Sequence, residues 1–174
     1  MSLQNATFAG GCFWCMQGPF DAEPGVSNVH VGYAGGDPAQ GSYYVVASGR
    51  TQHREGITMD YDPDVVSYQR LLEIFWKNID PTDSGGQFGD RGHQYTTAIY
   101  YHTPEQQAAA EQSKIELQQS GKFKDPIVTV IEAFTTFVPA EDEHQAYYKK
   151  NPLQYKMYKR GSGRADYIEQ TWKN

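Results

Sequence analysis

The 174-residue chain has 39% hydrophobic and 21% charged residues, an ordinary globular composition, and is long enough to build its own core. Fifteen Lys and Arg against 21 Asp and Glu leave a net charge of −6, which excludes a generally basic nucleic-acid footprint. No apolar run approaches the roughly 18 residues needed to span a bilayer, and the N-terminal residues lack a charged-then-apolar signal layout, so a cytoplasmic monomer forming one domain over 1–174 is expected.

In chain order, Ala6 to Ala9 reads as a short strand running into Gly10-Gly11. A helix begins near Cys12 and ends by Pro24-Gly25. Val29, Val31 and Tyr33 then share one face of a strand that stops at Gly35-Gly36. A short helical piece lies around Ser42 to Gly49, and Gly56 to Tyr61 reads as another strand. Asp62 is a good N-cap with Pro63 at the first helical position. From there Val65, Tyr68, Leu72, Phe75 and Ile79 recur at helical spacing until Asp80-Pro81. Thr103-Pro104-Glu105-Gln106 is a capping box that opens a second helix, closed by Gly121. Thr96 to Tyr101 and Ile127 to Phe134, rich in β-branched and aromatic residues, are the strands on either side. A last helical segment runs from Glu141 to about Lys150 and ends at Asn151-Pro152. Helical connections between strands imply a mixed or largely parallel sheet.

Two cysteines, Cys12 and Cys15, are all the chain has. That is too few for a disulfide-stapled secreted scaffold, and in a reducing compartment C-x-x-C is read first as redox-active and then as half a zinc site. The pair follows two glycines at a strand-to-helix junction. There the exposed backbone N–H groups and the helix dipole are expected to depress a thiol pKa, which makes Cys12 the better nucleophile. The rival view, two buried apolar cysteines that happen to be close, leaves the glycines unexplained.

Gly11-Cys12-Phe13-Trp14 at this junction resembles the class A peptide methionine sulfoxide reductases. The likeness continues through Ser27 to Gly36, His53-Arg54-Glu55, Ile79-Asp80-Pro81-Thr82, Gly89 to Tyr95, Glu143-His144-Gln145 and Lys150-Asn151-Pro152, in the family's order. The resemblance implies that Cys12 attacks the sulfoxide sulfur and becomes a sulfenic acid, with Phe13 and Trp14 as the apolar pocket for the methyl group. It implies that Glu55 is kept neutral by burial to protonate the sulfoxide oxygen, which Tyr33 and Tyr95 also hydrogen-bond. Asp90 organises the site and His144 supports substrate binding. The substrate implied is the S epimer of methionine sulfoxide, free or in peptides.

Many family members recycle through cysteines in the C-terminal tail, but no cysteine follows Cys15, which stands where a small residue is usual. Cys15 is therefore expected to resolve the sulfenic acid to a disulfide that a thioredoxin-type dithiol reduces. Gln52, His93 and Tyr44 are smaller departures from the family pattern. No metal, flavin or nicotinamide is implied, and no nucleic-acid or membrane partner is expected. The fold expected is α+β: a two-layer α/β sandwich with a mixed sheet, a ferredoxin-like core and an irregular tail, about 152–174, wrapped around it.

Three other readings compete. A general thiol–disulfide oxidoreductase would use the same C-x-x-C but needs neither the glutamate nor the tyrosines. A zinc module would need two more ligands from five histidines that show no H-x₃₋₅-H pair. A binding domain could use the basic stretch from Lys149 to Arg164, which contains no acidic residue, although a solvated face explains it as well.

Overall fold

The computed structural model describes residues 2–173; Met1 and Asn174, which the single-domain expectation includes, lie outside them. The first half contains β1 (Gln4–Gly10), α1 (Phe13–Asp21), β2 (Val26–Ala34), α2 (Tyr43–Ala47), β3 (Arg54–Tyr61) and α3 (Tyr68–Lys77). Next come the two-residue strands β4 (Gly86–Gln87) and β5 (Asp90–Arg91), then β6 (Thr97–Tyr101) and α4 (Pro104–Gln119). β7 (Val130–Ala133), β8 (Phe137–Pro139), α5 (Tyr147–Lys150), α6 (Pro152–Ser162) and α7 (Arg164–Thr171) complete the chain.

Six strands form one mixed sheet in the order β7-β6-β1-β3-β2-β8, and β4 pairs with β5 apart from it. Among the described residues only the β6–β7 pairing is parallel. The inner strands β6-β1-β3-β2, with α1 and α3 as crossovers, reproduce the β-α-β-β-α-β order of a ferredoxin-like core, as expected. On one face Phe8 stacks between Phe20 of α1 and Phe75 of α3, with centroids 5.5 and 5.1 Å away. Ile57, Met59, Leu71, Leu72 and Ile99 complete this buried layer. Removing so enclosed a ring as Phe8 would cost about 3–5 kcal/mol.

Three local expectations shift. The helix placed after Asp62 begins at Tyr68, because Asp62 spends its carboxylate on the Asp64 N–H in a preceding turn and Ser67 caps the helix through Arg70 N–H. Val65 is accordingly exposed rather than part of the apolar stripe. The strand expected from Ile127 shrinks to Val130–Ala133, since Ile127 N–H goes to the Gln118 side chain and Val128 N–H to the Pro81 carbonyl. The segment from Glu141 to Lys150 is a 3-10 turn and a short helix, separated where Ala146 turns left-handed at φ 51°.

The C-terminal tail is the largest correction. It is not irregular: α6 and α7 occupy it, joined through Gly163 at φ 93°. Arg164 ties it down. Its guanidinium is buried and donates to the Gly10 and Asn78 carbonyls at 3.0 and 2.7 Å, which draws the tail back over the end of β1.

Candidate active site

Because β1 and β2 both run antiparallel to β3, the ends of β1 and β2 and the start of β3 meet at one edge of the sheet. Tyr33 and Glu55 are direct cross-strand partners there. β1 leads through Gly11, whose φ of 85° and close approach to Gln87 and Arg164 leave no room for a side chain. Cys12 follows as the N-cap of α1.

Cys12, Phe13, Trp14, Tyr43, Glu55, Asp90, Tyr95 and Tyr158 line one small cavity of about 70 Å³ at this edge. Seven of these residues come from loops, strands, α1 and α2 within the first 95 residues; Tyr158 comes from α6. A larger hollow of about 640 Å³ lies between α3 and α4 beside Trp172, but neither cysteine lines it.

Glu55 is buried and accepts the Phe13 N–H at 3.2 Å. Burial pushes its carboxyl up to about 8, with Asp90 adding repulsion and the Phe13 N–H opposing the shift. At neutral pH the group is thus mostly an acid with a proton to give. Tyr95 and Tyr43 line the same cavity, and burial followed by the nearby Glu55 raises both hydroxyls, so each is a donor.

Tyr33 requires correction. It is fully buried behind Phe13, its hydroxyl donates to Glu141 at 2.8 Å, and it does not line the cavity. Tyr43 occupies the lining position instead. Its N–H donates to the same Glu141 carboxylate, so Tyr33 orders the loop that delivers Tyr43. Nothing in local composition distinguishes the two tyrosines.

Trp14 donates its indole N–H to His144 Nδ1 at 3.1 Å and stacks on Tyr147 of α5 with centroids 4.0 Å apart. His144 also stacks on Tyr43 at 4.4 Å. His144 therefore stands behind two wall residues and is not itself in the cavity lining. Asp90, on the β4–β5 hairpin, faces the cavity and accepts a hydrogen bond from Tyr158.

Both cysteines are free thiols, Cys12 5% and Cys15 1% exposed. The expected order of acidity is reversed. Burial, the hydrogen bond to Cys15 and the nearby Glu55 raise the Cys12 thiol. The hydrogen bond from Cys12 brings Cys15 down to about 7 against the opposing effect of burial, with Arg164, Tyr155 and Lys159 also favouring its anion. Burial of Cys12 and the hydrogen bond between the two thiols are the main causes, and the tail's Arg164 and Lys159 add to the effect at Cys15. Position still separates them, since Cys12 alone lines the cavity.

The tail contributions were missed from sequence. Tyr158 reaches Cys12 and Asp90, Tyr155 reaches Cys15, and Arg164 anchors both. No group of three or more His, Cys, Asp or Glu is arranged to hold a metal among the described residues. No helix among them is long and apolar enough to cross a membrane.

The profile of the peptide methionine sulfoxide reductase family matches residues 4–174. The chain is 53% identical over 167 residues to the peptide methionine sulfoxide reductase MsrA of Bacillus licheniformis, which covers 96% of this chain and 92% of that protein. It is 51% identical over 172 residues to MsrA of Listeria monocytogenes, across 99% of this chain and 97% of that one. Among solved structures it is similar to Mxr1 from Saccharomyces cerevisiae in reduced form, with a TM-score of 0.81, 31% identity and 87% of each chain covered.

Proposed function

The chain belongs to the peptide methionine sulfoxide reductase family, and from that premise we propose that Cys12 reduces methionine-S-sulfoxide, free or in peptides, with Cys15 as its resolving partner. The observation that carries this reading is the shared cavity, where the Cys12 thiol, the protonated Glu55 carboxyl and three tyrosines, Tyr43, Tyr95 and Tyr158, converge.

Cys12 passes its proton to the Cys15 thiolate as it attacks the sulfoxide sulfur. Glu55 gives its proton to the sulfoxide oxygen, and Tyr43 and Tyr95 donate hydrogen bonds to the charge that develops there. Phe13 and Trp14 surround the methyl group. The oxygen passes to Cys12, methionine leaves as the thioether, and the product on the enzyme is a Cys12 sulfenic acid. Cys15 then attacks that sulfur, water leaves, and a Cys12–Cys15 disulfide forms. A thioredoxin-type dithiol closes the cycle by taking over the disulfide. Overall, one sulfoxide and one dithiol become one thioether, one disulfide and one water. A cycle that starts and ends on two free thiols suits a reducing compartment such as the cytoplasm.

Turnover of methionine sulfoxide with thioredoxin as donor tests the assignment. Cys12→Ser should be inactive. Cys15→Ser should release about one methionine per enzyme and then stop, because the sulfenic acid has no partner. Continued thioredoxin-driven cycling by Cys15→Ser would remove Cys15 from its role. Disulfide reduction by wild type without any sulfoxide turnover would favour the general oxidoreductase reading.

A further inference from the structure

The same helix that covers the two cysteines has an unpartnered outer face. Tyr155, Tyr158, Lys159 and Ser162 are the less exposed positions of α6, spaced as one helical stripe, and two of them reach the thiols. The opposite stripe, Leu153, Lys156, Met157 and Arg160, repeats the same three-and-four spacing and is exposed throughout. Leu153 and Met157 are 65% and 67% exposed, one turn apart, with Lys156 and Arg160 beside them. Lys149 and Lys150 precede the helix, and no acidic residue occurs between 149 and 164 in a chain whose net charge is −6. Among the described residues, neither Lys156 nor Arg160 has a carboxylate within ion-pair distance. A face kept only for solubility has no need of two neighbouring large apolar side chains.

We propose that this outer stripe of α6 is the docking surface for the protein that supplies electrons, an acidic-faced dithiol protein whose apolar patch meets Leu153 and Met157. The proposal rests on the reading of Cys12 and Cys15 as a recycled dithiol. Its occupant follows from charge complementarity and from place. The basic stripe stands out from an acidic molecule and lies on the element that covers the disulfide. Leu153 and Met157 favour a protein over a nucleic acid, whose phosphates would use the cations alone. One donor thiolate attacks the Cys12–Cys15 disulfide, forming a mixed disulfide and releasing one enzyme thiolate. The donor's second thiol then displaces the other enzyme sulfur, and the donor leaves oxidised with two electrons transferred. Because Tyr155 and Tyr158 lie over those sulfurs, the donor binds the helix that must shift to admit it.

The test compares two reductants in the same sulfoxide assay: a bacterial thioredoxin kept reduced by its reductase, and dithiothreitol, which needs no docking surface. In the Lys156→Glu/Arg160→Glu variant, kcat/KM for thioredoxin should fall about tenfold, a loss in association of the kind rim charges produce. Dithiothreitol-driven turnover should stay at the wild-type level. Wild-type kcat/KM for thioredoxin should also fall as salt rises from about 50 to about 300 mM. Leu153→Ser/Met157→Ser should raise the KM for thioredoxin and again leave the dithiothreitol arm unchanged. Equal losses in both arms, or no loss in the thioredoxin arm, would overturn the proposal. So would salt-sensitive binding of an RNA oligonucleotide that the charge reversal abolishes. Absence of wild-type turnover in both arms would instead remove the reductase reading beneath it.

Discussion

The site has two halves built in different ways. One half is sheet-mounted: Cys12, Phe13 and Glu55 sit where β1, α1 and β3 meet, held by ladder hydrogen bonds and the Phe13–Glu55 contact. The other half is the tail, where α5 stacks Tyr147 on Trp14 and α6 brings Tyr155 and Tyr158 to the thiols from a basic segment tied down by Arg164. The sheet half holds the Glu55 carboxyl and the Cys12 sulfur in fixed relation. The tail half places Arg164, Tyr155 and Lys159 around Cys15. A cavity of about 70 Å³ is far below the roughly 300 Å³ at which small-molecule pockets begin, so it has room for only a small group at the end of a substrate side chain.

The largest effect belongs to the sheet half. Glu55→Gln keeps the side-chain shape and the carbonyl that accepts Phe13 N–H but removes the proton given to the sulfoxide oxygen. Activity should fall about 10²- to 10⁴-fold. Stability should move the other way at alkaline pH. The folded carboxyl keeps its proton up to about 8, whereas the unfolded chain releases it near its ordinary value. As pH rises between those values, the unfolded state is progressively favoured, and wild type loses stability. The glutamine variant should therefore melt higher than wild type above pH 8, with the gap closing towards roughly pH 4, where both folded and unfolded carboxyls are protonated. Matching melting curves across that range would mean Glu55 is not held neutral.

The next effect links the two halves. The proposed step needs one thiolate within the cysteine pair and a proton on Glu55. For wild type, kcat/KM should rise through about 7 and fall through about 8, a narrow bell whose limbs belong to coupled groups. Cys15→Ser removes the sulfur that the tail's cations stabilise and leaves Cys12 buried without a thiolate partner. In single-turnover measurements the rising limb should then shift to higher pH. An unmoved limb would place the anion on Cys12 in the resting enzyme, as the helix start alone suggested.

How much of this the sequence discloses depends on how local each determinant is. The helix at Pro104 is legible because Thr103 Oγ1 does accept Gln106 N–H, and Gln106 reaches back to His102 N–H, one residue beyond the expected box partner. Cys12 and Cys15 are legible because their spacing and the glycines before them are local. Glu55 is legible only through the resemblance of its motif, since its acidity arises from strands distant in sequence. Tyr33 and Tyr43 are equally good tyrosines on paper. Which one faces the cavity is decided by Glu141, about a hundred residues on, which takes the Tyr33 hydroxyl. Tyr158 is the extreme case. Its place depends on a buried arginine crossing to the end of the first strand, and no local pattern announces that contact.

The smallest effect, and the one that tests the tail alone, is Tyr158→Phe. The ring remains against Trp14, in an edge contact with centroids 5.5 Å apart, so α6 should stay in place. What disappears is one hydroxyl that donates to Asp90 and lies beside Cys12. If it only closes the empty cavity, its removal weakens a contact worth about 1 kcal/mol and eases entry, so KM for the sulfoxide should fall a few-fold with kcat unchanged. If it also supports the thiolate on Cys12, the pH at which Cys12 is alkylated should rise and kcat should fall while KM is unchanged. The hydrogen bond to Asp90 favours the first outcome, because a hydroxyl already donating to a carboxylate has no second proton for the sulfur. A fall in KM without a fall in kcat would thus assign Tyr158 to access and leave the chemistry wholly to the sheet-mounted half.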